Sequence, residues 1–355
     1  MAEWLLYGAN GYTGELIARE ARKRGLAPIL AGRNAHAINA LGRELGCATR
    51  IFALTDPAAI ERELAGVRLV LLCAGPFAYT SQAVLDACKR TRVHYLDITG
   101  EIAVLEAIFH QASELQQAGV VAVPGVGFDV APTDCLAVLL KRELPDATHL
   151  RLLFASRKGH VSRGTMLTAI EGIAEPTKMR KDGQIIAVDP LVVSLPFGDR
   201  PAPALRLSWG DVSSAYYSTG IPTIETYVGD PALIKQISRI ERLRRVLSWG
   251  PIRAAVRGYY SRALTGPSAA QRAEDETLIW GEVSNDSGRK VALKLRTPAA
   301  YSLTVDSAVV AVSHLLESDL PPGVYTPTQA FGPDYVLSLR GVEGPLPASV
   351  SSIAH

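Results

Sequence analysis

Near its start the chain reads Gly8-Ala9-Asn10-Gly11-Tyr12-Thr13-Gly14, a glycine-spaced segment between the apolar run Trp4–Tyr7 and the helical pattern Tyr12–Arg24. A strand, a glycine-rich turn and a helix in this order predict close approach of the backbone to a pyrophosphate. The helix N-terminus would hold that group, because its free N–H groups and its dipole favour an anion. The spacing is G-x-x-G-x-x-G instead of G-x-G-x-x-G, so the surrounding elements must support the interpretation.

The same alternation continues through the first third of the chain. Short apolar runs predict strands, and the segments between them have apolar residues at helical spacing. Five further strands are predicted at Pro28–Ala31, Ile51–Leu54, Leu69–Cys73, Val93–Asp97 and Val120–Val123, and four further helices at Ala35–Leu45, Pro57–Leu64, Thr80–Lys89 and Glu101–Gln117. This β-α repetition predicts an α/β domain of the Rossmann type, with a parallel sheet covered on both faces.

Beyond Gly125 the pattern changes to longer, partly alternating runs with few helices between them. Strands are predicted at Leu150–Ser156, Gln184–Val188, Ala204–Trp209, Glu225–Val228, Leu278–Val283 and Val291–Arg296, and helices at Gly164–Ala174 and Leu303–Leu316. Such runs indicate a second, α+β domain with a mostly antiparallel sheet. The proline- and glycine-rich segment 196–203 is interpreted as a loop or linker.

The end of the second strand indicates the cofactor. An acidic residue there would bind the ribose 2′-hydroxyl of NAD, whereas an arginine accommodates the 2′-phosphate of NADP. The chain reads Leu30-Ala31-Gly32-Arg33-Asn34 and has no carboxylate in this segment. Arg33 is therefore expected to pair with the phosphate, which predicts NADP, although an exposed arginine at a helix start is the alternative.

Two further loops follow strand ends, where ligands bind in parallel sheets. Ala74-Gly75-Pro76-Phe77 should border the nicotinamide, and Asp56 could approach the adenine or simply cap a helix. The predicted cofactor-binding residues are therefore Gly8, Asn10, Gly11, Tyr12, Thr13, Gly14, Arg33, Asn34, Asp56, Ala74, Gly75, Pro76 and Phe77.

Taken together, several segments resemble the saccharopine dehydrogenase-like oxidoreductases. The matching segments are Tyr7–Gly14, Ala31–Asn34, Cys73–Phe77, His94–Glu101 and Pro124–Asp134, with weaker likeness at Gly210–Pro222 and Tyr301–Leu316. The resemblance implies an NADP-binding Rossmann domain formed by residues 1–131 and completed by residues 300–355, with residues 132–299 inserted as an α+β domain. It also implies a homodimer. Because the family includes saccharopine reductases and trans-acting enoyl reductases, it does not name a substrate.

A reductase needs a proton donor near the atom that receives charge. The Tyr-x-x-x-Lys pair of short-chain dehydrogenases, a metal-binding cluster and a Gly-x-Ser-x-Gly motif are all absent from the sequence. Three groups of candidates remain: Asp97 with Glu101, Asp129 with Asp134, and Tyr216 with Tyr217. We expect Asp134, Tyr216 and Glu101 to be catalytic. The alternatives are first-turn helix acids for Glu101 and Asp134 and packing on a strand face for the tyrosines.

The charge and the hydropathy of the chain indicate which kinds of partner can be expected. Lysine and arginine number 37 against 35 acidic residues, so the charge gives no reason to expect nucleic acid. No apolar run is long enough to cross a membrane and the N-terminus lacks a basic leader, so a cytoplasmic protein is expected. A basic stretch at 235–262 could touch an anionic membrane surface, but it is more readily a solvated helix face.

These observations predict an NADPH-dependent oxidoreductase that reduces a C=N or activated C=C bond. The alternative is a nucleotide-binding sensor or scaffold that keeps the fold without turnover. A small-molecule substrate is expected between the loop Gly75–Phe77 and the second domain, within reach of Phe128–Asp134.

Overall fold

The computed structural model describes residues 3–156, 176–197, 200–229, 234 and 266–351. The chain forms two compact units. The first consists of Met1–Ala131 with Tyr301–Gly332, and the second of Pro132–Ala300 with Pro333–His355. The predicted helix Gly164–Ala174 and the basic stretch 235–262 lie outside the described residues.

Strands and helices alternate through the first unit. Its elements in chain order are β1 (Trp4–Tyr7), α1 (Tyr12–Lys23), β2 (Ile29–Gly32), α2 (Ala35–Leu45), β3 (Thr49–Ile51), α3 (Pro57–Leu64), β4 (Leu69–Leu72), a 3₁₀ helix (Phe77–Tyr79), α4 (Ser81–Thr91), β5 (His94–Asp97), α5 (Ile102–Phe109), α6 (Ala112–Ala118) and β6 (Val121–Val123).

The rest of the chain builds the second unit, returns to the first over Tyr301–Gly332 and ends in the second. Its elements are α7 (Ala131–Glu143), β7 (His149–Ser156), β8 (Thr177–Lys181), β9 (Gln184–Val188), β10 (Val192–Phe197), β11 (Arg200–Arg206), α8 (Asp211–Thr219), β12 (Thr223–Val228), α9 (Ala269–Glu274), β13 (Glu276–Ser284), β14 (Lys290–Pro298), α10 (Ala300–Glu317), β15 (Gly323–Val324), α11 (Pro327–Phe331), a 3₁₀ helix (Val336–Ser338) and β16 (Glu343–Pro347).

The first unit contains a seven-stranded sheet in the order β15-β6-β5-β4-β1-β2-β3, and every strand pair in it is parallel. The strand order reverses beside β1, since β2 lies on one side of it and β4 on the other. In such sheets ligands bind at the carboxyl ends of the strands next to this point. The topology therefore places the loops after β1, β2, β4 and β5 along one edge.

The second unit contains a nine-stranded sheet in which only the pair of β7 and β12 is parallel among the described strands. Helix α7 packs on one face of it. A Cβ placed on Gly281 of β13 would lie 2.6 Å from Cδ1 of Leu140, which shows how closely the helix approaches the sheet. The predicted fold class, a Rossmann-type parallel sheet with a mostly antiparallel second domain, is confirmed.

Several local predictions need correction. Residues 196–203, interpreted as a loop, belong mainly to an antiparallel hairpin in which β10 pairs with β11 and Pro196 lies opposite Pro201. Tyr216 and Tyr217 lie on a helix, α8, and not on a strand. The segment Pro333–His355 belongs to the second unit, because β16 pairs with β14. These contacts join distant parts of the chain, so the local pattern does not indicate them.

Charged side chains form a row across the face of the second sheet that is opposite α7. Arg151 on β7 lies between Glu225 of β12, at 3.3 Å, and Glu282 of β13, at 3.6 Å. Arg206 pairs with Glu225, and Lys290 lies 3.9 Å from Glu282. Positive and negative groups thus alternate over five strands, and the three central side chains are buried.

The C-terminal segment completes this row. The backbone N–H and the hydroxyl of Ser351 both donate hydrogen bonds to Glu282, the hydroxyl at 2.7 Å. The Lys290 ammonium donates to the Ser351 carbonyl at 3.0 Å, and the Trp280 indole N–H donates to the Ser349 carbonyl at 3.2 Å. Residues 349–351 are therefore held against the sheet by side chains of β13 and β14.

We expect Glu282→Gln to lower the free energy of unfolding by about 2–4 kcal/mol, because it removes one of the two buried carboxylates beside Arg151 and the buried carboxylate nearest Lys290. The control Glu343→Gln disrupts an ion pair with Arg296 whose side chains are both more than half exposed, and it should cost no more than about 0.5 kcal/mol. Urea unfolding followed by tryptophan fluorescence measures both variants. If both variants lost the same unfolding free energy, the buried row of charges would add no stability beyond that of an exposed ion pair.

Candidate cofactor and catalytic site

The glycine-rich turn after β1 is too tight for side chains at two of its glycines. A Cβ on Gly14 would clash with the Gly8 carbonyl oxygen. Gly8 has φ of +86°, and a Cβ placed there would lie 2.9 Å from the Ala74 backbone nitrogen. The turn therefore brings the backbone of α1 over β1 and against the loop that follows β4.

The start of α1 differs from the starts of the next two helices. The Asn34 side chain accepts a hydrogen bond from Ala37 N–H at α2, and Asp56 accepts from Ala58 and Ala59 N–H at α3. At α1 the N-cap residue is Gly11, with no side-chain cap. Because uncapped first-turn N–H groups attract anions, this helix start fits the pyrophosphate of a dinucleotide.

The end of β2 provides the residues predicted to select the phosphate-bearing cofactor. Arg33 and Asn34 are both exposed at the start of α2. Burial raises the pKa of the Tyr7 hydroxyl while the Arg33 guanidinium lowers it, which places that guanidinium near the end of β1. A Cβ on Gly32 would lie 3.0 Å from Oδ1 of Asn10, so the side chain of Asn10 covers the end of β2.

The loop after β4 is closed by hydrogen bonds of its own. The Thr80 hydroxyl donates to the Ala74 carbonyl at 2.7 Å, and the Ser81 hydroxyl donates to the Phe77 carbonyl at 2.8 Å. Phe77 is buried, whereas Gly75 is exposed. The backbone at Gly75 is thus exposed, while buried Phe77 and these hydrogen bonds fix the conformation of the loop. A loop that binds the nicotinamide requires both properties.

Asp97, at the end of β5, connects two loops from inside the protein. One of its oxygens accepts hydrogen bonds from the N–H groups of Thr99 and Gly125, and the other accepts from the Tyr95 hydroxyl at 2.6 Å. Burial raises the pKa of Asp97 to about 6, although these three bonds lower it. With no exposed surface and three donors, Asp97 acts as a structural anchor.

Glu101 contacts the loop after β4 directly. Its two carboxylate oxygens accept hydrogen bonds from Phe77 N–H at 2.7 Å and from Ala78 N–H at 2.9 Å. The sequence interpretation of Glu101 as an acid at its own helix start is therefore incomplete, because the side chain binds the start of a different helix.

Asp129 lies in the loop after β6, against the loop after β5. A Cβ on Gly100 would lie 2.7 Å from the Asp129 Cβ and 3.0 Å from its Oδ2. Asp129 is only partly accessible as a residue, and burial raises the pKa of its carboxyl to about 7. Among the described residues, none donates a hydrogen bond that lowers this pKa.

The other two predicted catalytic residues belong to the second unit. Asp134 is fully buried in the first turn of α7, as the helix-dipole alternative requires. The Tyr216 ring lies 4.2 Å beneath the Arg180 guanidinium, which also donates hydrogen bonds to the carbonyls of Val212 and Gly183. These contacts give Tyr216 a packing function on α8, and the catalytic roles of both residues stay predictions.

In the described part of the chain no helix is long and apolar enough to cross a membrane. The same residues contain no group of three or more histidine, cysteine, aspartate or glutamate side chains placed to hold a metal ion.

Residues 4–123, from β1 to β6, match the family model described as the saccharopine dehydrogenase NADP-binding domain. This part of the chain is similar to the NADP-binding domain of saccharopine dehydrogenases. The predicted cofactor, NADP, and the resemblance stated above are thereby confirmed. The structure adds the fit of the site, since the turn Gly8–Gly14 and the start of α1 can hold the phosphates.

Curated relatives agree with this assignment at low identity. A probable mitochondrial saccharopine dehydrogenase-like oxidoreductase of Arabidopsis thaliana is 29% identical over 208 residues, which cover 50% of this chain and 44% of that protein. The saccharopine dehydrogenase-like oxidoreductase of Bos taurus is 26% identical, covering 50% and 47%. A trans-acting enoyl reductase of Mycobacterium leprae is 29% identical, covering 41% and 37%. The matches thus span about half the length of the curated relatives or less.

A solved structure extends the likeness of fold to both units. Apo saccharopine dehydrogenase (L-Glu forming) from Saccharomyces cerevisiae is similar with a TM-score of 0.64, covering 95% of this chain and 96% of that one. At 14% sequence identity the similarity shows the shared fold alone.

Sequence reasoning named Asp129 beside Asp134 but chose Asp134 as the catalytic residue. The catalytic role of Asp134 stays a prediction. The structure draws attention to Asp129, which is partly accessible as a residue and whose pKa is raised by burial with no hydrogen-bond donor among the described residues. The sequence shows that Gly100 follows β5 and Asp129 follows β6, but their contact depends on the pairing of these two strands.

We expect wild-type protein to bind NADPH more tightly than NADH, and Arg33→Asp to weaken NADPH binding on the order of a hundredfold. The substitution removes a charge-assisted pair and places a negative charge beside the 2′-phosphate. The control Arg43→Asp changes the same charge in the last turn of α2 and should change affinity by no more than about twofold. Fluorescence titration with both cofactors measures these values, and equal wild-type affinities would contradict the role of Arg33.

Proposed function

We propose that this chain is an NADPH-dependent oxidoreductase that reduces the C=N bond of a small-molecule substrate, with Asp129 as the proton donor. NADPH, when bound, supplies a hydride to carbon, so the protein must supply a proton to the other atom of the double bond. The observation that carries the proposal is the raised pKa of Asp129 in the loop after β6.

A proton donor works best when its pKa is close to the working pH. The pKa of Asp129 is about 7, so near neutral pH a large fraction of this carboxyl is protonated. Asp129 is partly accessible as a residue and packs against Gly100, the residue before Glu101. Glu101 in turn binds the loop expected to border the nicotinamide. Asp129 is therefore close to the predicted position of hydride transfer.

The charges around Asp129 favour a C=N bond over a C=C bond. Asp97 and Glu101 lie at the end of β5, and no lysine or arginine among the described residues contributes to the pKa shift of Asp97 or Asp129. Carboxylates stabilise the cation formed when an imine nitrogen is protonated. Reduction of an enoyl group instead develops negative charge on an oxygen, which the same carboxylates would repel.

The proposed step is balanced for atoms and charge. The imine carbon accepts the hydride, the C=N π electrons become a nitrogen lone pair, and the nitrogen receives the Asp129 proton. The products are the amine, NADP⁺ and the Asp129 carboxylate, which takes a proton from water before the next turnover.

Turnover should depend on pH through Asp129. Because the protonated form is active, log(kcat/KM) should fall above about pH 7 with a slope of −1. Asp129→Asn should lower kcat by about 10²–10⁴-fold and abolish this slope, while NADPH affinity stays within about twofold. Consumption of NADPH with a panel of cyclic imines and enoyl thioesters measures the rates. The exposed Asp319 provides the control Asp319→Asn, which should retain wild-type kinetics.

Protein stability provides a second measurement of the same group. The folded protein holds the Asp129 proton more tightly than the unfolded chain, whose carboxyl has a pKa of about 3.9. Protonated Asp129 therefore contributes fully to the free energy of unfolding below about pH 3.9. This contribution is lost as the pH rises through about 7. Asp129→Asn should thus gain stability relative to wild type between pH 4 and pH 8. An unchanged difference over this range would contradict the raised pKa.

The panel also separates the alternatives. Faster reduction of enoyl thioesters than of imines would favour reduction of a C=C bond, the reaction that gives the mycobacterial trans-acting enoyl reductase its name. NADPH binding without turnover of any substrate in the panel would favour a sensor or scaffold, and would overturn the proposal.

A further inference from the structure

Glu101 joins two loops that belong to neighbouring strands of the first unit. It follows β5, yet its carboxylate binds the N–H groups at the start of the 3₁₀ helix Phe77–Tyr79, which follows β4. Each oxygen accepts one N–H bond, at 2.7 Å and 2.9 Å. Hydrogen bonds from two backbone donors to one carboxylate are strong, because the acceptor is ionised.

The backbone of Glu101 is held by a series of hydrogen bonds that begins inside the sheet. The Tyr95 hydroxyl donates to Asp97, Thr99 N–H donates to the same carboxylate, and Glu101 N–H donates to the Thr99 hydroxyl at 3.1 Å. Asp97 is fully buried. These hydrogen bonds fix the position of Glu101 relative to the buried Asp97. Through its own hydrogen bonds, Glu101 in turn fixes the loop after β4.

This arrangement is unsuited to proton donation. A donor must carry a proton on one oxygen, but both Glu101 oxygens already face backbone N–H groups. Protonation would turn one oxygen into a donor that points at another donor, and it would break one of the two bonds. The geometry thus keeps Glu101 as an acceptor.

We propose that Glu101 is a positioning residue that holds the loop 74–80 in the shape needed to receive the nicotinamide half of the cofactor. The inference rests on the proposed function, because it assigns that loop to the nicotinamide. Glu101 acts only through the backbone of Phe77 and Ala78, whereas Arg33 and the start of α1 bind the adenosine half independently.

The test compares Glu101→Gln and Glu101→Ala with wild type and with the control Glu61→Gln. Glu61 on α3 forms an exposed ion pair with Arg90 of α4, so its variant removes the same charge from the same unit at a surface position. Two ligands are titrated: NADPH, and adenosine 2′,5′-bisphosphate, which has the 2′-phosphate but lacks the nicotinamide half. Amide hydrogen exchange of residues 77–80 is measured without ligand.

Glu101→Ala should accelerate exchange of both the Phe77 and the Ala78 amides by about tenfold or more, since both N–H groups lose their acceptor. Glu101→Gln keeps one acceptor oxygen, so it should accelerate exchange of at least one of the two amides. The two variants share the expected effect on binding. They should weaken NADPH binding on the order of tenfold while affinity for adenosine 2′,5′-bisphosphate stays within about twofold. Glu61→Gln should match wild type in all three measurements. The exchange measurement reports on the loop itself and needs no substrate.

Other results would overturn the inference. Unchanged exchange and unchanged NADPH affinity with lost turnover would return Glu101 to the role of proton donor. Equal loss of both ligands would show that the substitution damages the whole domain and not this loop. Failure of wild-type protein to bind either ligand would instead overturn the proposed function itself.

Discussion

The carboxyl ends of the parallel strands leave backbone N–H groups at one edge of the first sheet, and acidic side chains satisfy several of them. Asp97 accepts from Thr99 and Gly125, and Glu101 accepts from Phe77 and Ala78. Unpaired buried N–H groups are costly, so these carboxylates determine which loop shapes are stable. The loops after β4, β5 and β6 form one connected surface as a result. The shape of the cofactor site depends on this connection.

Much of the first unit could be predicted because its signals are local. Helices α2 and α3 begin and end where the sequence indicated, since Asn34 and Asp56 cap them through N–H groups two or three residues away. Strands β1, β4 and β6 are short, continuous apolar runs. The third strand was predicted at Ile51–Leu54 but is formed by Thr49–Ile51, which is not an apolar run. One predicted helix divides into α5 and α6, because its apolar spacing did not reveal the break near His110.

Prediction failed where structure depends on distant partners. Prolines near Pro196 indicated a loop, but both strands of that hairpin lie toward one end of the sheet, where a missing N–H is tolerated. The different burial of Asp129 and Asp134 also depends on distant partners, which the pattern of residue types does not determine. The binding of Glu101 to a helix start 23 residues earlier likewise has no signal in its own segment.

The alternating charges on the second sheet also bear on how accurately its strands assemble. Successive side chains of a strand point to opposite faces, so sliding β13 by one residue would turn Glu282 toward the leucines of α7. It would also leave Arg151 buried without that partner. Slipped pairings are therefore penalised at several strands together, which favours a single alignment during folding. Hydrophobic side chains of similar size would discriminate less, because they tolerate many neighbours.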